Sequence, residues 1–130
     1  MGASENKEVV RKLREAKGLD AMLATMADDV RWTIMGTTKF SHVMNGKQEI
    51  VEKLFKPITA ELESMGNTII DNIIAENDYV VVQQHATGRQ TKTGKPYNNQ
   101  YCIVYKVVGD KIKEITEYLD TELVTSAFGR

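Results

Sequence analysis

The chain has 130 residues, 42% of them hydrophobic and 27% charged, the profile of one soluble globular domain spanning 1–130. Seventeen Lys and Arg against eighteen Asp and Glu leave a formal net charge of -1, without the basic surplus that a nucleic-acid binder carries. The one cysteine, Cys102, excludes an internal disulfide and a cysteine metal pair. No apolar run nears the ~20 residues that cross a bilayer, and residues 1–6 lack a secretion signal, so a cytoplasmic setting is expected.

Helical spacing dominates the first half. Ser4 is placed to cap a helix with Val9, Val10, Leu13 and Ala16 on one side, ending near Gly18. A second helix carries Leu19, Met22, Leu23 and Met26 and stops at Asp28-Asp29. Val30, Trp32 and Ile34 then alternate with Arg31 and Thr33 as a half-buried strand. Residues 37–45 read as a loop. Asn45-Gly46 opens a third helix with Ile50, Val51, Leu54 and Phe55, which Pro57 kinks or restarts toward Leu62.

The second half has the period of strands. Segments 68–75 and 79–87 are separated by the turn Glu76-Asn77-Asp78, and a loop follows over 88–96. Residues 97–108 form one long strand that Gly109-Asp110 turns back into a last strand, 111–119. Twelve extended residues span roughly 40 Å, so in a small domain such a strand must bend around something. The helices are the available partner. The expected fold is α+β: three N-terminal helices wrapped by a curved antiparallel sheet.

Several residue types bear on chemistry. His42 and His85 lie far apart, with no Cys or carboxylate at metal-ligand spacing, so no metal is expected. Residues 88–94 have neither the Walker nor the dinucleotide glycine order, so no phosphate-bearing cofactor is implied. Asn99, Tyr101, Ile103 and Tyr105 share one face of the long strand, opposite Gln100, Cys102, Val104 and Lys106. Asp120 ends the last strand in line with Tyr118 and Thr116, either as a working carboxylate or as a cap of the turn that follows.

Three stretches carry a family resemblance. Leu19-Asp20-Ala21-Met22 through Ala27-Asp28-Asp29-Val30 resembles the opening of the nuclear transport factor 2-like superfamily, and Gly46-Lys47-Gln48-Glu49-Ile50 its third-helix start. Thr93-Gly94-Lys95, Tyr101-Cys102-Ile103-Val104-Tyr105, Gly109-Asp110-Lys111-Ile112 and Glu117-Tyr118-Leu119-Asp120 resemble its last hairpin, most closely in the SnoaL-like polyketide cyclase and ketosteroid isomerase branch. The resemblance implies a conical barrel with an apolar pocket, usually in a homodimer, and a fold that hosts enzymes and non-catalytic modules alike.

It further implies that Asp120 occupies the proton-handling position, as general acid or base. Tyr101, Asn99, Gln84, Tyr105, Tyr118 and Trp32 would line the pocket around a small apolar molecule. Gln84 and Ala86 stand where the epoxide hydrolases of this fold resemble an Asp–Arg pair, and Trp32 and Val10 stand near the positions that serve the steroid isomerases. The expected function is therefore small-molecule binding with cyclase- or isomerase-type proton transfer. The alternative is a non-catalytic ligand-binding or dimerising module.

Overall fold

The computed structural model describes residues 2–130. Its first helix, α1 (Ala3–Glu15), is capped by Gly2, so Ser4 lies inside the first turn and is not the cap that the sequence suggested. α1 buries Val9, Val10 and Leu13 on one side, as apolar residues three and four apart must on a period of 3.6. α2 (Leu19–Leu23) is a single turn. The expected second helix is cut short because β1 (Met26–Ile34) begins at Met26 and takes Asp28 and Asp29 into the strand. The expected loop over 37–45 likewise contains β2 (Val43–Asn45), paired with β1.

The next rod runs over 47–61 as α3 (Lys47–Ile50), a wider π turn (Val51–Phe55) and α4 (Lys56–Glu61). Pro57 stands in the first turn of α4. It has no N–H for the usual bond to the preceding turn, and the π turn just before it absorbs that gap without ending the rod. The strands that follow are β3 (Leu62–Ser64), β4 (Asn67–Glu76), β5 (Tyr79–Thr87), β6 (Gln90–Thr91), β7 (Gln100–Val108) and β8 (Lys111–Leu119). A final helix, α5 (Thr121–Phe128), follows at once.

Six strands form one curved sheet in the order β2-β1-β8-β7-β5-β4. The sheet is mixed, which corrects the antiparallel expectation: β1 lies parallel to β8, with Trp32 opposite Ile115 and Ile34 opposite Glu117. The three helical segments before β3 fill its concave side, giving the expected α+β cone. Irregular registers at Met26/Arg31, Ile70/Asn72 and Lys106/Val107 supply the bend. The main core joins Val10 and Leu13 of α1 to Trp32, Met44, Ile50, Val82, Ile103, Tyr105 and Ile115. Each such side chain contributes about 1.5–3 kcal/mol by leaving water. No helix among the described residues is long and apolar enough to cross a membrane.

One glycine is fixed by a close backbone approach. Gly66 has φ of +58°, and a Cβ there would stand 2.0 Å from the Thr87 carbonyl oxygen and 2.7 Å from the Arg89 nitrogen. Both neighbours are main chain and cannot swing away. Gly66→Ala is expected to cost about 3 kcal/mol or more in urea unfolding, with the m-value unchanged.

Candidate functional site

The concave face is set by strand parity. On β7, Ile103 and Tyr105 are buried and Tyr101 packs against the same core. On β5 the inward residues are Val80, Val82, Gln84 and Ala86. Gln84 pairs with Tyr101, and Tyr101 in turn with Leu119. From Ile115 onward the inward residues of β8 are therefore the odd-numbered ones, Ile115, Glu117 and Leu119, while before the register shift the inward one is Ile112. Glu117 is 9% exposed, the one acidic residue among the buried ones.

Glu117 is walled by Ile103 on β7 and Ile34 on β1, its rung partners. Burial pushes its carboxyl up to about 7, against a smaller downward pull from Arg14, Trp32 and Arg89. The direction follows from the cost of leaving a charge in apolar surroundings. The Trp32 indole N–H is turned toward the carboxyl but closes no hydrogen bond of normal geometry. Trp32 is held by an edge-on contact with Phe55 at 5.9 Å between ring centres.

Polar groups collect around this carboxyl. Arg14, on the apolar side of α1, donates from Nη1 to the Tyr105 hydroxyl at 3.3 Å, while its Nε is buried without a partner. The Gln84 amide oxygen is also buried and unpaired. Arg89 donates to the Tyr101 hydroxyl and to Thr68 Oγ1, both at 3.3 Å, and to the Met65 carbonyl at 2.8 Å. Burial raises the phenol pKa of Tyr97, Tyr101 and Tyr105, so all three stay protonated at neutral pH.

Asn99 has a different task. It is fully buried, and its side chain grips the Asp120 backbone twice: Oδ1 accepts from the Asp120 N–H at 3.1 Å and Nδ2 donates to the Asp120 carbonyl at 3.0 Å. Nδ2 also donates to the Tyr97 hydroxyl at 3.2 Å. This grip fixes the start of α5 beside a second apolar cluster. There Val124, Ala127 and Phe128 pack with Phe40, Leu62 and Tyr97, and Phe128 meets Tyr97 edge-on at 4.6 Å. Lys39 Nζ donates to the Phe128 carbonyl at 3.1 Å and Lys95 Nζ to the Ser126 carbonyl at 3.2 Å. Both ammonium groups thus meet the negative end of the helix dipole.

The expected proton-handling residue, Asp120, is not on the inner face. It is exposed, and its Oδ1 accepts from the Leu123 N–H at 3.1 Å as the N-cap of α5. Tyr118, expected in the lining, is 46% exposed on the outer face. Tyr118 points outward because it alternates with Glu117 and Leu119, whereas Asp120 lies past the end of β8 and is turned to cap α5. Of the other expected lining residues, Trp32, Gln84, Asn99, Tyr101 and Tyr105 are all inside. His85 faces outward and pairs with Asp71 at 2.7 Å, and Cys102 is half-buried on the same side. No cluster of three His, Cys, Asp or Glu side chains suited to a metal occurs among the described residues.

Glu117, Arg14 and Arg89 were missed by sequence reasoning. A signal existed for the first two. Glu117 shares parity with Ile115 and Leu119, and Arg14 follows Val10 by four residues, so each is a charge on an apolar stripe. Arg89 lies just past the end of β5, where no period reaches.

Comparison with known proteins agrees with this geometry. Residues 8–115 match the family described as the SnoaL-like domain. No curated protein matches the chain in sequence. Among solved structures, an NTF2-like protein of unknown function from Burkholderia pseudomallei K96243 is 19% identical, covering 97% of this chain and 98% of its own, with a TM-score of 0.86. TerC, co-crystallised with polyporic acid, is 19% identical over 95% of this chain and 97% of its own, with a TM-score of 0.79. A protein named as a SnoaL-like polyketide cyclase from Jannaschia sp. CCS1 is 19% identical over 98% and 93%, with a TM-score of 0.76. The chain belongs to the SnoaL-like domain family, and its fold is that of solved NTF2-like proteins.

Glu117 makes stability depend on pH with a definite sign. Its folded value of about 7 exceeds the ordinary 4.5, so the folded state holds the proton more tightly than the unfolded chain. Its contribution is complete below pH 4.5 and is lost as pH rises to 7. Wild type should therefore lose on the order of 3 kcal/mol relative to Glu117→Gln across that window, measured by urea unfolding at each pH. A constant difference between the two proteins would place the Glu117 titration elsewhere.

Proposed function

We propose that this member of the SnoaL-like family binds a small, largely apolar carbonyl compound inside the cone and moves a proton on it with Glu117. The observation that carries this reading is a carboxyl poised near neutrality on an apolar inner face, beside donors without partners. A base with a pKa near the working pH is ionised often enough to accept a proton and strong enough to take one. Ionised Glu117 takes the proton from the carbon next to the carbonyl, and the C–H electron pair moves onto the carbonyl oxygen as an enolate. The Trp32 N–H and the Tyr105 hydroxyl are the donors for that oxygen. Return of the proton to another carbon completes an isomerisation; addition of the enolate carbon to a second carbonyl of the same molecule, whose C=O π bond opens and whose oxygen takes the proton back from Glu117, completes an aldol cyclisation.

Two relatives lend this support of different kinds. TerC was crystallised with polyporic acid, an organic molecule, and the Jannaschia protein is named as a cyclase. The fold carries other roles as well, so the rival reading is a ligand-binding module in which Glu117 transfers nothing.

Solvent deuterium exchange into 2-tetralone, an enolisable aromatic ketone, separates the two by proton NMR. Wild type is expected to accelerate exchange at the carbons flanking the carbonyl, and Glu117→Gln to lower that acceleration by about 10²–10⁴-fold. Asp120→Asn should leave it unchanged while costing up to about 1 kcal/mol of stability through the weakened cap. No acceleration by wild type would favour the binding module.

The outer sheet face fits the homodimer that the sequence led us to expect. Ile69, Ile74, Tyr79 and Tyr118 are exposed there, a row of large apolar side chains on strands β4, β5 and β8. Light scattering should give twice the mass of the chain, and Ile74→Lys with Tyr79→Lys should halve it. A monomeric wild type would remove this part of the reading.

A further inference from the structure

We infer that the inner site takes an apolar molecule that carries an anionic group, and that Arg14 is the residue that receives the charge. This rests on the proposal that a ligand enters the cone, but not on Glu117 transferring a proton. The first observation is the charge balance of the inner site. Two guanidinium groups, Arg14 and Arg89, act on the single carboxyl of Glu117. Neither arginine closes an ion pair with an acidic side chain among the described residues.

The second observation separates the two arginines. Arg89 has three of its donors taken, by Met65, Tyr101 and Thr68. Arg14 makes one bond, 3.3 Å to the Tyr105 hydroxyl, and its Nε is buried with no acceptor. It sits one turn beyond Val10, which is fully buried, and beside Leu13, which is 1% exposed, so the helix itself turns Arg14 inward.

The third observation is that the unused polar groups nearby are mainly donors. The Trp32 indole N–H is without a partner on a side chain 5% exposed. Tyr105 accepts from Arg14 and so keeps its own O–H to give. A buried donor left unpaired costs about 1–3 kcal/mol, and a charged one more. A neutral apolar ligand would leave these donors unpaired and dry. A carboxylate, sulfonate or enolate oxygen would pair them, with charge-assisted bonds roughly twice as strong as neutral ones. Besides the Glu117 carboxyl, the buried Gln84 amide oxygen is an acceptor without a partner, and a ligand hydroxyl would meet it.

A matched pair of dyes tests this. 1-Anilinonaphthalene-8-sulfonate and N-phenyl-1-naphthylamine share the same apolar frame and differ by one sulfonate. Their affinities are read from dye fluorescence, and their place from the indole N–H proton resonance of Trp32, the only tryptophan in the chain. Wild type is expected to bind the sulfonate at least tenfold more tightly and to shift that resonance. Arg14→Met should lose at least tenfold for the sulfonate and less than twofold for the neutral dye. Arg14→Lys, which keeps a charge, should retain a clear preference, and thermal unfolding checks that both variants fold. Equal affinities in wild type, a Trp32 resonance unmoved by the sulfonate, or a preference that survives Arg14→Met would each overturn the assignment. Because no step involves proton transfer, a failed exchange assay with 2-tetralone leaves this result readable on its own.

Discussion

Glu117 occupies a rung of the sheet whose two neighbours are Ile103 and Ile34, so its carboxyl is stripped of water from both sides before any helix covers it. That placement depends on β8 lying between an antiparallel partner, β7, and a parallel one, β1. The parallel pairing closes the cone and brings the first strand, with Trp32, beside the last. Had β8 been an edge strand, the same glutamate would have kept a solvated flank and an ordinary pKa. The arginines then enter as secondary elements, from a helix on one side and a loop on the other. They soften the desolvation of Glu117 without cancelling it.

Such an interior is expensive. Unpaired atoms on Arg14, Trp32 and Gln84 lower stability in a region that could have been filled with aliphatic side chains. The core around them is otherwise continuous, from Val10 and Leu13 to Ile112 and Ile115. A polar knot surrounded by good packing is the pattern in which local stability has been given up for binding or chemistry. The outer face shows nothing comparable: its polar groups pair with one another, as His85 does with Asp71 and Arg31 with Glu114.

Much of the architecture was legible because strands and helices write their periods into the chain. The bounds of β5 and β8 coincide with the alternating segments 79–87 and 111–119. The strand expected over 97–108 starts only at Gln100; within it Tyr101, Ile103 and Tyr105 are inward as parity required, and Asn99, just before it, is buried as well. What was not legible depends on partners that alternation does not name. Asp28 and Asp29 read as a helix stop, yet they extend a strand whose register is set by β8, far along the chain. Asp120 read either as a pocket acid, which the resemblance favoured, or as a cap of the turn that follows, and it is the cap of the helix that begins one residue later. A parity count from Ile115 and Leu119 reaches Glu117 and separates it from Glu114, which is paired at the surface, but the depth of its burial depends on the strands on both sides of β8. Arg14 shares the apolar stripe of α1 with Val10, but its inward role depends on how far the sheet wraps that helix, which the sequence does not say.

The final helix adds a kinetic dimension to this geometry. It is fastened at its start by two bonds from Asn99 and at its end by two lysine ammonium groups reaching from separate loops. Between those points, Phe128 and Val124 pack with Phe40, Leu62 and Tyr97. Displacing the helix means opening several of these bonds together, so this C-terminal segment opens less often than a chain end ordinarily frays.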